Sequence, residues 1–115
     1  LGDVYKRQIL KIICLDSTLI MNKKKEIQSA VFERLINHLQ NESNVQNIDM
    51  MILAGFCRNC LSKWYQEEAE NLGENIEHDS ARELVYGMSY QEWKKLYQEP
   101  ATQEQLDLIN ARKNK

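Results

Sequence analysis

The spacing of apolar residues in the first half of the chain constrains the fold most. From residue 22 onward these residues recur at steps of three and four, at Ile27, Ala30, Val31, Leu35 and Leu39, with His38 in the same series. Such steps place side chains on one face of an α-helix, so the pattern predicts an amphipathic helix over residues 22–41. No segment alternates apolar and polar residues well enough to predict a strand. The expected fold class is therefore all-α.

A second helical region is predicted over residues 48–72. Asn47 or Asp49 can cap its start by accepting a backbone N–H bond, and Gly73 is well suited to end it. Gly55 lies inside this region and is expected to divide it into two pieces, because glycine weakens a helix interior.

Three capping patterns follow in the last third of the chain. Ser80, Ser89 and Thr102 are each followed three residues later by Glu or Gln, which is the pattern of a capping box. They predict helices over residues 80–86, 90–98 and 103–112, with stops at Gly87 and Pro100. The expected architecture is a small bundle or array of about five helices. A chain of 115 residues forms one domain with a modest core, which a second copy would help to stabilise, so we expect a homo-oligomer.

The first twenty residues differ from the rest. Residues 1–8 (LGDVYKRQ) resemble a translated sequencing adaptor, residues 9–20 have no clean period, and Met21 begins a stretch that is typical of a natural start. We interpret residues 1–20, which include Cys14, as a non-native leader and residues 21–115 as a single helical domain.

The charge balance and the hydropathy argue against two classes of partner. Fifteen Lys and Arg against seventeen Asp and Glu give a net charge of −2, and the only basic block is residues 23–25. Nucleic-acid binding depends on neutralising several phosphates, for which this is a poor footprint. No apolar run reaches the roughly 18 residues of a membrane span, since Lys11 and Asp16 interrupt residues 9–20. We therefore expect neither a nucleic-acid nor a membrane partner, and a cytoplasmic location.

Cys57 and Cys60 form a C-x-x-C pair, the best chemical candidate in the chain. Residues three apart on a helix face the same side, so the sulfurs can share a metal ion, form a redox pair or pack. If Gly55 restarts the helix, Cys57 lies in its first turn, where the helix dipole and Arg58 favour a thiolate. Reduced cysteine is also among the most buried residue types. We favour packed thiols without a cofactor, and zinc or iron binding or redox chemistry stays open.

A zinc site needs four ligands, and only His38 and His78 are available as imidazoles. If the first two helices pair antiparallel, Cys57 lies roughly 9–13 Å beyond the point opposite His38, at 1.5 Å per residue. His78 follows a helix that runs about 18 Å past Cys60. A metal ion would therefore be held more easily between two subunits.

Polar residues around the Cys pair have two interpretations. Arg58, Asn59, Ser62 and Lys63 lie on other faces of the helix, and with Asp49 they can form an anion pocket or an interface network. The interpretation that we favour is that they cap neighbouring helix ends and hold subunits in register.

Other candidate positions are His38 and the aromatic residues. His38 ends an apolar series and is expected as a hydrogen-bonded core residue, with a ligand role as the alternative. Six aromatic side chains at helical spacing in the second half of the chain are expected to anchor the core or an interface, rather than to stack on a ligand. They are Trp64, Tyr65, Tyr86, Tyr90, Trp93 and Tyr97.

One long stretch carries a family resemblance. Residues 45–49 (VQNID) and 53–65 (LAGFCRNCLSKWY) resemble the signature of the domain-of-unknown-function 1244 family of small, mainly bacterial proteins. Its second block is similar to residues 81–82, 86–88, 90 and 92–94, and its first helix to Phe32, Arg34, Leu35, His38 and Leu39. The resemblance implies a small all-α domain that is oligomeric, with intertwined subunits, and it implies no substrate, cofactor or reaction.

The sequence contains no catalytic constellation, such as a phosphate-binding loop or a nucleophile beside a base, and it favours a non-enzymatic role. Our hypothesis is a self-associating binding module, expected as a dimer, that also binds a protein or small ligand through the surface around residues 56–65. The residues assigned to that surface are Asp49, Phe56, Arg58, Asn59, Lys63, Trp64 and Tyr65. The alternative is a thiol-redox or metal protein that uses Cys57, Cys60 and His38.

Overall fold

The fold consists of helices joined by short connections. It is known from a computed structural model that describes the backbone of residues 2–114 and the side chains of residues 17–114. The helices are α1 (Gly2–Asn41), α2 (Asn47–Ala54), α3 (Arg58–Asn71), α4 (His78–Tyr86), α5 (Tyr90–Tyr97) and α6 (Gln103–Lys113). Between residues 2 and 114 there is no strand, which confirms the all-α class. The chain divides into two compact units, residues 1–35 and 36–115, which are described separately.

Helix α1 is longer than the apolar spacing predicts. It is continuous from Gly2, whereas the expected start was residue 22. The added residues contain no proline and no glycine after position 2, so nothing in them interrupts the backbone hydrogen bonds. The side chains of residues 1–16, including Cys14 and most of the predicted leader, lie outside the described part of the chain.

The first unit exposes an apolar face. Ile20, Ile27, Val31 and Leu35 follow one another at steps of seven and four, which places them on one side of α1. We call these four residues the α1 stripe. All four are exposed, Val31 at 61%. Among the side chains of residues 17–35, only Phe32 is half-buried and the others are exposed. The predicted apolar face is therefore present on the helix, but these residues do not pack into a core.

The core of the second unit lies mainly among α3, α4 and α5. Its buried apolar residues are Ile36, Cys57, Leu61, Ala81, Val85, Tyr86 and Trp93. Helix α3 packs against α4, α4 against α5, and α2 against α6. The end of α1 contributes Ile36, while His38 is exposed. The expectation of a core His38 is therefore wrong, because residues two apart on a helix point to different sides.

The helix boundaries confirm some capping predictions and correct others. Gly55 takes a left-handed backbone with φ of 78° and ends α2, so the predicted division of residues 48–72 is confirmed. Ser89 and Thr102 accept N–H bonds at the starts of α5 and α6, as predicted. The predicted capping box at Ser80 is wrong, because α4 already begins at His78 and has no side-chain cap. The pattern there falls inside a helix, where backbone carbonyls supply the acceptors.

Helix α2 begins after Gln46 without a side-chain cap, so the expected capping by Asn47 or Asp49 is wrong. Gln46 is buried, and its amide donates to the Tyr97 carbonyl at 2.8 Å. Its side-chain oxygen also accepts from the Glu99 backbone N–H at 3.0 Å. The Gln46 side chain therefore joins distant parts of the chain instead of forming a local cap.

Candidate functional site

Arg58, the first residue of α3, lies inside the second unit with 1% of its surface exposed. Its Nη1 donates to the Val45 carbonyl at 2.7 Å and to Asn47 Oδ1 at 3.0 Å. Its Nη2 donates to the Glu42 carbonyl at 2.8 Å and to the Leu39 carbonyl at 3.4 Å. The guanidinium therefore joins the end of α1 to the connection that enters α2. A cation is favourable at this position because helix C-termini present unpaired carbonyl oxygens.

The surroundings of Arg58 compensate its charge. The guanidinium carbon lies 5.0 Å from the centre of the Trp93 ring, within the range of a cation–π contact. Burial lowers the pKa of Arg58 from its ordinary value, yet arginine stays protonated in proteins because that value is so high. This position suits a helix-capping role, and it leaves Arg58 turned away from solvent.

Arg58 belongs to a continuous polar network. The Tyr86 hydroxyl donates to Asn59 Oδ1 at 2.8 Å and accepts from Asn47 Nδ2 at 3.1 Å. Asn59 Nδ2 donates to the Tyr90 hydroxyl at 3.5 Å. Because Asn47 also accepts from Arg58, the five side chains are linked, and we call them the Arg58 network. Burial is the main cause of the raised pKa of Tyr86, so its hydroxyl stays neutral and can donate.

Aromatic rings surround this network. Tyr86 lies 5.0 Å from Trp93 and 5.3 Å from Tyr90, measured between ring centres. Arg82 and Lys94 each place a charge within 5 Å of the Tyr90 ring, at 4.5 and 4.7 Å. Four of the predicted aromatic anchors thus contact one another, because Trp93 also lies 6.1 Å from Tyr97. Tilted ring pairs at these separations are favourable.

The two cysteines of the C-x-x-C pair lie beside this network. Cys57 is 8% exposed and Cys60 is half-buried, and their Sγ atoms are 3.9 Å apart. Cys57 is the N-cap residue of α3, so the pair occupies the first turn of that helix. Burial is the largest cause of the raised pKa of the Cys57 thiol, so the prediction that the helix dipole and Arg58 favour a Cys57 thiolate is wrong. Cys60 Sγ also lies 3.9 Å from Met51 Sδ on α2.

The outer side of residues 56–65 is aromatic. Phe56 is half-buried and contacts Trp64, with 5.8 Å between the ring centres. Trp64 is 49% exposed, and Lys63 beside it is exposed as well. Tyr65 is half-buried and lines a shallow cavity of about 230 Å³ on α3. We call Phe56, Lys63 and Trp64 the aromatic surface, whereas Tyr65 points to a different side of α3.

The remaining predicted residues lie apart from this surface. Asp49 accepts a hydrogen bond from Gln105 Nε2 at 2.8 Å, which joins α2 to α6. Ser62 is fully buried and donates to the Arg58 carbonyl at 3.0 Å. The structure therefore separates two groups: the Arg58 network with Ser62 is internal, and the aromatic surface is external.

Within the described residues, no three His, Cys, Asp or Glu side chains lie close enough together to hold a metal ion. His38 is exposed on α1 and His78 is exposed at the start of α4. The part of the chain that is described also contains no helix with both the length and the apolar character to cross a membrane.

Sequence reasoning missed Asn47 and Gln46 as structural residues. Both lie in the VQNID segment, and each bonds to residues that are distant in the chain. Their signal was the presence of two adjacent amides at the start of an apolar helix, of which only Asn47 was predicted to have a role, as a cap. Tyr86 was expected in the core, but its role as the centre of a hydrogen-bond network depends on contacts that no local pattern reveals.

Comparison with known proteins identifies the family. The family model described as "Protein of unknown function (DUF1244)" matches residues 45–111. This range includes the Arg58 network, the C-x-x-C pair and the aromatic surface. No curated protein matches the chain. Since the matched range covers more than half of its residues, the chain belongs to the DUF1244 family.

Proposed function

We propose that the chain is a self-associating interaction module in which the α1 stripe and the aromatic surface contact a second copy. The observation that carries the proposal is the exposure of the α1 stripe. All four of its side chains are exposed, and residues 17–35 bury almost nothing within their own unit. Helices in proteins gain most of their stability from packing an apolar face, so this face requires a partner.

A second copy of the chain is the partner that best fits the exposed α1 stripe. It is available to every molecule at a fixed ratio, and closed homo-oligomers are the commonest assemblies of soluble proteins. Each Ile, Leu or Val of the stripe that becomes covered contributes about 1–2 kcal/mol. Self-association also agrees with the size of the chain, because small domains gain a larger core by pairing.

Charge favours a reciprocal arrangement, in which the α1 stripe of each copy meets the aromatic surface of the other. Lys23, Lys24 and Arg34 are exposed and lie beside the stripe on the helix surface. On α3, the exposed residues Glu67 and Glu68 follow Trp64, and these two carboxylates outnumber Lys63, the cation of the aromatic surface. Opposite charges around two apolar patches guide pairing and fix its register.

The aromatic surface has the composition of an interface. Tryptophan and other aromatic residues are enriched at the centres of protein contacts. The Arg58 network lies behind it and supplies a rigid frame, because its buried hydrogen bonds fix the start of α3. The exposed side chains of the aromatic surface are therefore suited to binding.

Sedimentation velocity of the full chain under reducing conditions tests the proposal. The wild type should sediment above the mass of one chain, and Val31→Asp and Trp64→Ala should each weaken association at least about tenfold, which corresponds to about 1.4 kcal/mol. Leu96→Ala is the control, since Leu96 is a 65% exposed apolar residue of α5 outside both surfaces. A monomeric wild type would overturn the proposal. If Trp64→Ala associates as strongly as the wild type, the aromatic surface is not part of the interface.

Charge reversal tests the reciprocal arrangement. Lys24→Glu and Glu68→Lys should each weaken association, and the double variant should recover part of the loss because the pair is then restored with opposite signs. Absence of any recovery would mean that the stripes pair with each other instead.

A second candidate function is supported by the dithiol. The 3.9 Å separation of the Cys57 and Cys60 sulfurs at the first turn of α3 is close enough for a disulfide after a small side-chain rotation. Thiol–disulfide chemistry needs only these two residues, whereas a metal ion needs further ligands from elsewhere. Treatment of a Cys14→Ser variant with oxidised glutathione followed by intact mass measurement tests it: loss of two hydrogens per chain supports the candidate, and any other final mass contradicts it.

A further inference from the structure

We infer that Cys60 is the attacking thiol and Cys57 the resolving thiol of a disulfide-forming site at the start of α3, with a small disulfide such as oxidised glutathione as the oxidant. This inference rests on the dithiol candidate, and its test is separate from the measurements of self-association. Its basis is the difference in exposure between two cysteine residues whose sulfurs lie 3.9 Å apart.

Access to the oxidant distinguishes the two thiols. Cys57 is 8% exposed, whereas Cys60 is half-buried and is therefore the more exposed of the two residues. Thiol–disulfide exchange requires the attacking sulfur to approach the disulfide in line with the bond that breaks, so a thiol that is covered on most sides reacts slowly. A bulky disulfide can therefore reach Cys60 sooner than Cys57.

The exchange balances in two steps. The Cys60 thiolate attacks one sulfur of the oxidised glutathione, forms a mixed disulfide and releases one glutathione thiolate. The Cys57 thiolate then attacks Cys60 Sγ, which breaks the mixed disulfide and releases the second glutathione thiolate. The two cysteines together lose two electrons and two protons, and one molecule of oxidised glutathione is reduced to two of glutathione.

The second step needs no large movement. The sulfurs must close from 3.9 Å to the roughly 2 Å of a disulfide bond, which a side-chain rotation achieves. Cys57 is the N-cap residue and has an extended backbone with φ of −142°, so its side chain is not constrained by a preceding helical turn. The buried thiol is thus placed to resolve an adduct on its neighbour while staying protected from direct attack.

The test uses full-length protein in a Cys14→Ser background, so that no third thiol takes part. Reduced protein is mixed with oxidised glutathione, quenched with acid at intervals and weighed intact. Cys57→Ala should accumulate one glutathione per chain at a rate about tenfold higher than Cys60→Ala, since access controls exchange. The parent should lose two hydrogens and keep no glutathione at the end point.

A second measurement does not depend on the folding of either variant. Peptide mapping of the parent after a short reaction should find the transient glutathione on Cys60. An adduct on Cys57, or equal rates in the two variants, would overturn the assigned order while leaving the dithiol candidate intact. A parent that forms no disulfide would overturn both, and neither result would affect the sedimentation measurements.

Discussion

Replacing Arg58 by lysine gives the sharpest test of how the second unit is held together. Three of the four hydrogen bonds of the guanidinium are 3.0 Å or shorter, and they reach the Glu42 and Val45 carbonyls and Asn47. Each bond from a charged donor contributes about 1.5–3 kcal/mol. A lysine has one nitrogen on a flexible stem and can keep about one of the three. Losing two at the lower figure lowers the free energy of unfolding by about 3 kcal/mol.

Urea denaturation followed by circular dichroism measures this loss. The protein concentration must be the same for each variant, because self-association makes stability depend on concentration. Arg112→Lys is the matched control: Arg112 is exposed and makes a 3.3 Å bond to the Ile52 carbonyl, so a change within about 0.5 kcal/mol is expected. An Arg58→Lys variant as stable as this control would refute the account of the network.

Two other perturbations test the packing and the titration of the same unit. Gly87 and Gly73 both have positive φ, and the space around Gly73 is open, whereas an added Cβ at Gly87 would lie 2.9 Å from the side-chain amide carbon of Gln40. Because the Gln40 amide donates to the Val85 carbonyl at 3.2 Å and would have to move, Gly87→Ala should cost about 1 kcal/mol more than Gly73→Ala in urea denaturation. Equal losses would contradict the packing described. The raised pKa of Tyr86 means that the folded state holds its proton more tightly than the unfolded chain, so this contribution to stability is present below about pH 10 and is lost above it. Tyr86→Phe should flatten the decline above about pH 10, and an unchanged decline would show that other groups cause it.

Local patterns predicted the helices well where the physical signal was itself local. Thr102 and Gln105 satisfy each other's backbone N–H groups, and Ser89 caps α5, so the signal lies within four residues. Gly55 ends α2 because its backbone is left-handed, which glycine adopts without strain. The same pattern failed at Ser80, because a hydroxyl with a glutamate three residues later also fits inside a continuing helix.

The site was harder to predict because its contacts span long distances in sequence. The C-x-x-C pair and the aromatic residues could be recognised as candidates from their spacing. The inward orientation of Arg58 could not, since a charged residue on a helix is usually exposed and its acceptors come from carbonyls 13 to 19 residues earlier. The exposure of the α1 stripe was equally hidden, because an apolar face indicates burial without identifying whether the same chain or another one covers it.

Native mass spectrometry of the full chain under reducing conditions tests self-association and metal binding in one experiment, because it weighs the assembly and any bound metal together. We expect a closed assembly, a dimer, at a whole multiple of the 13.6 kDa chain mass and without additional mass from a metal. A species at the mass of one chain would contradict self-association. Additional mass equal to zinc or iron at a fixed ratio per chain would instead make Cys57 and Cys60 metal ligands.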